Sequence, residues 1–457
     1  MSALPSPNWQ SLADDVVRYL RDLIRLDTSN PPGNEMLAAE YLARVLHAAG
    51  IAPVVIETAP KRGNVIARLR GDGGAAPLLL YSHTDVVPVE RERWTVDPFG
   101  GEVKDGFVYG RGALDMKGIT AMQLAVFLAI AQAMRHDGLT LRRDLILAAT
   151  ADEEADTNQG IGLLVERHPD LLRAEYALSE FGGYSLHIGN RRFYPIQTAE
   201  KGNVWMRMIA RGRPGHASVP HADNAVVHLS RAVDRLARAR LPTRITPTAR
   251  AFIAGLADGI GGGQGVALRA WLDIEALHEV PLHRLVGDFS LAAELYAVTH
   301  DTVVPTVLRA GYKTNVVPSS AEATLDCRTL PGSTPDGLIE ALRQTLGDEL
   351  PVEFRVDSSG EAIEFPFDTP LFRLIERALR QHDPQGVPLP YMMTGATDAK
   401  HVARLGAICY GFSPMQFAPG ESFFEMVHGH DERVAISALA WGARVLYEVV
   451  RDFCAAA

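Results

Sequence analysis

LLLYSHTDVVP, residues 78–88, is the stretch on which the reading of the fold turns. Its first five residues form a short continuous apolar run without alternation, the pattern of a strand buried on both faces. Residues 144–150 (DLILAAT) and 176–179 (YALS) have the same build, and a long helix from Ile119 lies between the first two runs. Each run passes straight into polar residues: HTD, ADEE and EFGG. Strands alternating with helices predict an α/β fold with a mostly parallel sheet, whose ligands gather at the carboxyl ends of the strands. Upstream, residues 14–26 and 35–49 carry apolar side chains at helical spacing.

Downstream the character changes. Residues 201–211 (KGNVWMRMIAR) alternate like a one-sided strand, and GRPGHASVP then leads into an apolar helix at 224–238. Residues 321–328 alternate again, 335–346 read as helix, and 352–356 close with another strand. This is the signature of a small antiparallel sheet with helices on one face. Residues 370–381 return to helix and 407–412 to an apolar run. The expected organisation is a catalytic domain split into 1–198 and 361–457, interrupted by an α+β lid and dimerisation domain at 199–360. Two domains also suit the length, since 457 residues exceed the roughly 250–300 at which a single core stops growing. GIGGGQG at 259–265 is the one stretch expected to be flexible.

Composition narrows the classes. Charged residues make up 22% and hydrophobic residues 47%, which fits an ordinary globular protein. A net charge of -10 argues against nucleic acid as a partner. The acidic excess is read either as solubility or as a carboxylate cluster neutralised by metal. Three cysteines without a CxxC, an N-terminus without a signal-peptide pattern, and an apolar run at 119–134 broken by Gln123 and Gln132 lead us to expect a cytoplasmic chain with no membrane span.

Five segments carry chemistry. His83 at a strand end can bind zinc through one ring nitrogen while Asp85 holds the other, although a hydrogen-bonded loop histidine explains the same HxD. Asp115, in GRGALDMKG, lies just before the long helix and reads equally as its N-cap. Glu153 and Glu154 are adjacent carboxylates after an apolar strand, which repel unless a cation sits between them; a solvated loop is the plain alternative. Glu180 follows its strand in the same way. His428 begins HGHDER, in which His430 reads as a peripheral residue, Asp431 as a helix N-cap and Glu432 as a first-turn acid. Imidazoles and carboxylates without thiolate suit zinc or a related divalent metal, and this many ligands suits two ions bridged by one carboxylate.

In combination, HTDVVP, GRGALDMKG, DEE, the later Glu180 and HGHDER resemble the dinuclear zinc hydrolases that include aminoacylase, succinyl-diaminopimelate desuccinylase, acetylornithine deacetylase, glutamate carboxypeptidase and carnosinase-type dipeptidases. The motifs occur in that family's order across nearly the whole chain. The resemblance implies two Zn²⁺ per chain, with Co²⁺ or Mn²⁺ as substitutes. His83 and Glu180 would hold one ion, Glu154 and His428 the other, and Asp115 would bridge. Glu153 would be the general base, Asp85 would orient His83, and the Asp115–Met116 peptide would be cis. His216 in GRPGHASVP would stabilise the oxyanion, often across a dimer interface. Asn315 and Arg328 would hold the substrate's free carboxylate, Arg328 by a bidentate fork. Its plain alternative is a sheet-edge salt bridge. Gly395 and Thr397 in MTGATDAKH would lie on a loop whose backbone approaches substrate.

The implied activity is metal-dependent cleavage of the amide bond of an N-acyl amino acid or small peptide bearing a free carboxylate. A dipeptidase, a biosynthetic deacetylase or desuccinylase, and a non-catalytic binding protein on the same fold are the alternatives, and only the last has no use for Glu153. One departure from the compact members is the longer segment 245–300, with helix-like parts at 266–277 and 285–296 that would line the acyl side of the pocket or a subunit contact. The strand at 201–211 is expected to expose an edge, so a homodimer through the lid domain is anticipated, with His216 serving the neighbouring centre.

Overall fold

Leu78, Leu79 and Leu80 are fully buried, in a strand Ala75–His83 that is hydrogen-bonded on both sides. In the computed structural model, which describes residues 4–155 and 157–456, this strand runs parallel to Arg143–Thr150 and to Tyr176–Ser179. Ile408–Gly411 adds a fourth parallel strand beside Tyr176–Ser179. Antiparallel strands flank the four, with Arg62–Leu69 and then Val54–Ala59 on one side and Arg191–Glu200 on the other. The mostly parallel α/β sheet is therefore as expected at its centre. The apolar runs do not alternate because both faces are covered. Leu78, Leu80, Leu145, Leu147 and Leu178 join a core built with helices Trp9–Ile24, Lys117–His136 and Ile436–Cys454, while Leu79, Ile146 and Ala177 are buried without joining that core.

Helix Lys117–His136 is 20 residues long and, contrary to the expectation for 119–134, apolar enough by length and composition to cross a membrane. It is instead the central core helix of this unit, with Ile119, Met122, Phe127 and Ile130 inside. Gln123 is accommodated because its Nε2 donates to the carbonyls of Tyr81 and Leu178, at 3.2 and 3.4 Å. The register places His83 opposite Thr150 and Ser179 opposite Gly411. The polar segments that follow these strands thus emerge on one edge of the sheet.

The chain divides into two compact units, Met1–Thr198 with Phe365–Tyr391 and Thr397–Ala457, and Ala199–Glu364 with Met392–Ala396. The second unit carries a four-stranded antiparallel sheet in the order Thr302–Ala310, Ser320–Thr329, Gly202–Arg211, Val352–Ser359. Ser320–Thr329 alternates strictly between buried and half-buried residues, and helices Ala225–Arg238 and Pro335–Leu346 cover the buried face. Asn224 caps the first of these through Val226 N, and Thr334 caps the second through Gly337 N.

Two expectations for this unit are corrected. Gly202–Arg211 is an interior strand bonded on both sides, because its alternation reflects one solvated face and carries no information about edges; the edges are Thr302–Ala310 and Val352–Ser359. GIGGGQG is a tight helix-to-helix turn. Helix Pro247–Ile260 ends at Gly261, φ 65°, and Gly262–Asp273 begins at once. The segment then continues through Leu282–Val286 and Phe289–Ala297, so the insertion is folded helix. Its helical boundaries differ from those expected at 266–277 and 285–296.

Phe127 fills the centre of the first unit's core, fully buried. Phe127→Ala should lower the unfolding free energy by about 3–5 kcal/mol, measured as a lower urea midpoint at unchanged slope.

Candidate dinuclear metal centre

His83 is the last residue of its strand and only 1% exposed. Its Nδ1 faces the Asp85 carbonyl at 3.0 Å and the Asp85 carboxylate at 3.4 Å. Its Nε2 faces Asp115 Oδ1 at 3.1 Å and Glu180 Oε2 at 3.4 Å. His428 approaches from a segment near the C-terminus, its Nε2 3.2 Å from Asp115 Oδ2 and 3.2 Å from Glu154 Oε1. Asp115 therefore offers one oxygen to each imidazole, and two donor groups share it. His83, Asp115 and Glu154 place ligand-type atoms within 4.8 Å of one another, as do His83, Glu153 and Glu180. The Asp115–Met116 peptide is cis.

The electrostatics call for a cation. Burial and Glu180 push Glu153 well above the usual carboxylate range. Burial, with Asp115 and Asp398 adding repulsion, pushes Glu180 up to about 8 against the pull of His83. Burial opposes a charged His83, yet Glu180, Asp115 and Asp85 raise it well above the usual imidazole value. Hydrogen bonds to Asp115 and Glu154 raise His428 to about 10. Among the described residues, the imidazoles of His83 and His428 are the basic groups in contact with these carboxylates, and Glu180 Oε2 makes no hydrogen bond beyond its 3.4 Å ion pair with His83. Two divalent cations fit the donor set. His83 and Glu180 would hold one, His428 and Glu154 the other, with Asp115 between them.

The surroundings fix the donors, and here several expectations change. Asp115 does not cap the long helix, which starts at Lys117 without a side-chain cap, because its carboxylate is turned to the two imidazoles. Asp85 does more than face His83: its oxygens accept Glu153 N at 3.2 Å and Glu154 N at 3.1 Å. Asp431 is no N-cap, since strand Arg433–Ala435 intervenes before the last helix; it accepts from Thr95 N and Oγ1 at 2.8 and 3.0 Å. Glu432 is fully buried rather than in a helical first turn. It accepts Leu114 N at 2.8 Å, Asp115 N at 3.2 Å and Arg111 Nη1 at 2.6 Å. Arg111 also donates to the His428 carbonyl at 3.2 Å, so one ion pair holds two ligand-bearing loops together. His430 is peripheral, its Nε2 3.2 Å from Glu90.

Sequence reasoning gave Glu432 only a first-turn place and passed over Arg111, Asn30, Arg62 and Asp398. Glu432 and Asp398 sit inside quoted motifs, and their burial was the missing clue. Arg62 reaches its carboxylate partner across 90 positions, so no local pattern reveals it. Thr397 is buried and accepts Ala399 N at 3.1 Å, and Asp398 beside it is pushed up to about 6 by burial.

The remaining expected residues stand on the second unit. His216 is exposed, on a short strand Gly215–His216, with Nδ1 2.7 Å from Ser218 Oγ. The Asn315 carbonyl accepts Ala217 N at 3.0 Å, which ties the two segments together. Arg328 forks onto Asp326 at 2.8 and 3.1 Å, on an interior strand and not at a sheet edge. Gly395 leaves room beside Met393, whose Cε a Cβ there would meet at 3.1 Å.

A family model described as Peptidase family M20/M25/M40 matches residues 79–452. The chain is similar to the N-fatty-acyl-amino acid synthase/hydrolase PM20D1 of Xenopus tropicalis, 27% identical across 80% of this chain and 70% of the relative. It is also similar to aminoacylase-1 of Homo sapiens, 27% identical across 92% of this chain and 90% of the relative. Among solved structures, the M20 family metallo-carboxypeptidase Sso-CP2 from Sulfolobus solfataricus superposes with a TM-score of 0.68, covering 96% of this chain and 99% of that one at 17% identity.

Because Glu432 holds the backbone of Asp115, Glu432→Gln should weaken metal binding about 10- to 100-fold with the fold retained. Chelator competition against wild type measures it.

Proposed function

Because the chain belongs to the M20/M25/M40 peptidase family, we propose that it hydrolyses N-acyl amino acids with a free carboxylate, using two zinc ions per chain. That it is a metal-dependent amide hydrolase acting on N-acyl amino acids or peptides follows from its relatives. The preference for acyl amino acids over small peptides is supported by those relatives, which match over most of their own length. The carboxypeptidase matches at an identity that speaks to fold alone.

The single observation that carries the reading is the array of buried His83, Asp115 and Glu180 with half-buried Glu154 and exposed His428, and Glu153 beside it. When bound, a metal pair would supply Lewis acidity and the acidification of water. In the proposed reaction Glu153 accepts a proton from the attacking water and passes it to the departing amine nitrogen. Asp85 fixes Glu153 and Glu154 through their amides and faces the distal nitrogen of His83. His216 is assigned the oxyanion, and Asn315 and Arg328 the substrate carboxylate, for which Arg328 exchanges its partner Asp326. Gly395 and Thr397 are assigned to the loop that borders substrate.

A cytoplasmic location is supported by three free thiols, Cys327, Cys409 and Cys454, all buried and none in a disulfide. A homodimer through the second unit is supported by the exposed Val304, Val307 and Leu308 on its edge strand Thr302–Ala310.

Elemental analysis should find close to two zinc ions per chain. Glu153→Ala should keep them while kcat on N-acyl amino acids falls by at least ~10²-fold. A variant with near-full turnover would place the base elsewhere, and faster cleavage of dipeptides than of any acyl amino acid would overturn the substrate class. For the dimer, inactive Glu153→Ala and His216→Ala proteins should regain activity when mixed and allowed to exchange subunits. No recovery after proven exchange would confine His216 to its own chain.

A further inference from the structure

Arg62 is buried, on the strand Arg62–Leu69, and it touches none of the metal-ligand side chains through the contacts described above. Its Nη2 lies 2.5 Å from Asp152 Oδ1 and 3.0 Å from Glu35 Oε1. Its Nη1 donates to Asn30 Oδ1 at 3.2 Å and to the Pro32 carbonyl at 3.0 Å. Gly33 lets it pass, since a Cβ there would fall 2.0 Å from Arg62 Nη1. Asn30 Nδ2 in turn bridges Asp152 Oδ1 at 3.1 Å and Asp85 Oδ2 at 2.8 Å.

Asp152 immediately precedes Glu153, and its backbone sits at φ 71°, a left-handed conformation disfavoured for a residue with a Cβ. Such a conformation persists only where its surroundings over-determine it. Its two oxygens accept four hydrogen bonds, from Arg62, Asn30, Thr157 Oγ1 at 2.7 Å and Gln159 N at 2.8 Å. The turn that aims Glu153 is therefore gripped from both sides: Arg62 and Asn30 hold Asp152, while Asp85 holds the amides of Glu153 and Glu154. Arg62 also supplies an ion pair to each of two carboxylates, at Asp152 Oδ1 and at Glu35 Oε1, so removing it leaves two buried acids without their direct partner.

We propose that Arg62 is a positioning residue for the hydrolysis, acting through Asp152 to fix the backbone turn that aims Glu153. The planar fork matters as well as the charge, because one guanidinium must reach Asp152, Glu35, Asn30 and Pro32 together. Among the ligands, Glu154 shares the gripped turn, but its carboxylate is held from the other side by His428 at 3.2 Å, and Asp115, Glu180 and His428 have no contact with Arg62, Asn30 or Asp152 among those described above. The inference rests on Glu153 being the base, and its test separates the two claims.

Arg62→Met should lower kcat between about 10- and 100-fold, with KM and zinc content within about twofold of wild type. Arg62→Lys should recover part of the loss. In the Glu153→Ala background, measured by single turnover, Arg62→Met should cause no further fall, because the group it positions is gone. Hydrogen exchange followed by mass spectrometry should show faster exchange in Arg62→Met for the peptide spanning residues 152–159. Equal fold losses with and without Glu153, zinc loss in proportion to activity, or unchanged exchange would overturn the proposal. Full turnover by Glu153→Ala alone would instead overturn the assignment of the base. Should Arg62→Met fail to fold, Arg62→Lys carries the same comparison, its smaller kcat loss again vanishing in the Glu153→Ala background.

Discussion

Asp115 presents one carboxylate oxygen to His83 and the other to His428, at 3.1 and 3.2 Å, and each imidazole meets a second carboxylate. Unit charges 4 Å apart interact by about 4 kcal/mol at an effective dielectric of 20, so several buried carboxylates cannot remain ionised together without cations among them. The chain meets this in two ways. Burial pushes Glu153 and Glu180 up, and the carboxylates around them raise both histidines, so the cluster favours holding protons. It also presents a donor set that divalent ions neutralise. Ions bound there would offset the cost of bringing these carboxylates together, and so would stabilise this edge.

Holding such an array demands rigid supports, and the backbone shows where the cost falls. Asp152, Phe181 and His428 all have φ between 54° and 71°, and each is, or adjoins, a residue assigned to the centre. Strain of this kind is maintained by surrounding contacts. On one side Glu432 and Arg111 join the Asp115 loop to the His428 loop. On the other, Arg62, Asn30 and Asp85 fix the turn at residues 152–154. Both supports are themselves buried ion pairs, which stabilise little in net terms but strongly disfavour any arrangement that separates their members.

This explains what could be read from the amino-acid chain and what could not. The strands at 78–82, 144–150 and 176–179 were legible because burial on both faces leaves a continuous apolar run, and the residues just after them were legible as a site because parallel strands end together. Edges were not legible: KGNVWMRMIAR alternates whether its neighbours are one strand or two, and the structure gives it two. Capping was misread at Asp431 and stood as an open alternative at Asp115, since an acid near a helix start has the same local sequence whether it faces the helix or a distant partner. Arg62 and Glu432 were invisible in their roles, because their partners lie 90 and more than 300 positions away. A glycine-rich run also reads as flexible until the helices on either side are seen, and Gly261 joins two of them in a single turn.

Selectivity and chemistry are separable on physical grounds. The proposed reaction engages only the scissile carbonyl, the attacking water and the departing nitrogen, so nothing in the array of His83, Asp115, Glu153, Glu154, Glu180 and His428 distinguishes one acyl group from another. One family can therefore contain relatives named for fatty-acyl amino acids, for aminoacylase activity and for carboxypeptidase activity, because function is set by the site's walls and not by the fold that carries it. In this chain the segment that departs from the compact family pattern is the helical insertion of the second unit. Two of its helices carry side-chain caps, Thr246 on Ala249 N and Asp288 on Leu291 N, and it buries Phe252, Leu256, Trp271 and Leu295. An insertion that buries its own apolar side chains is ordered structure in its own right, distinct from a loose surface loop.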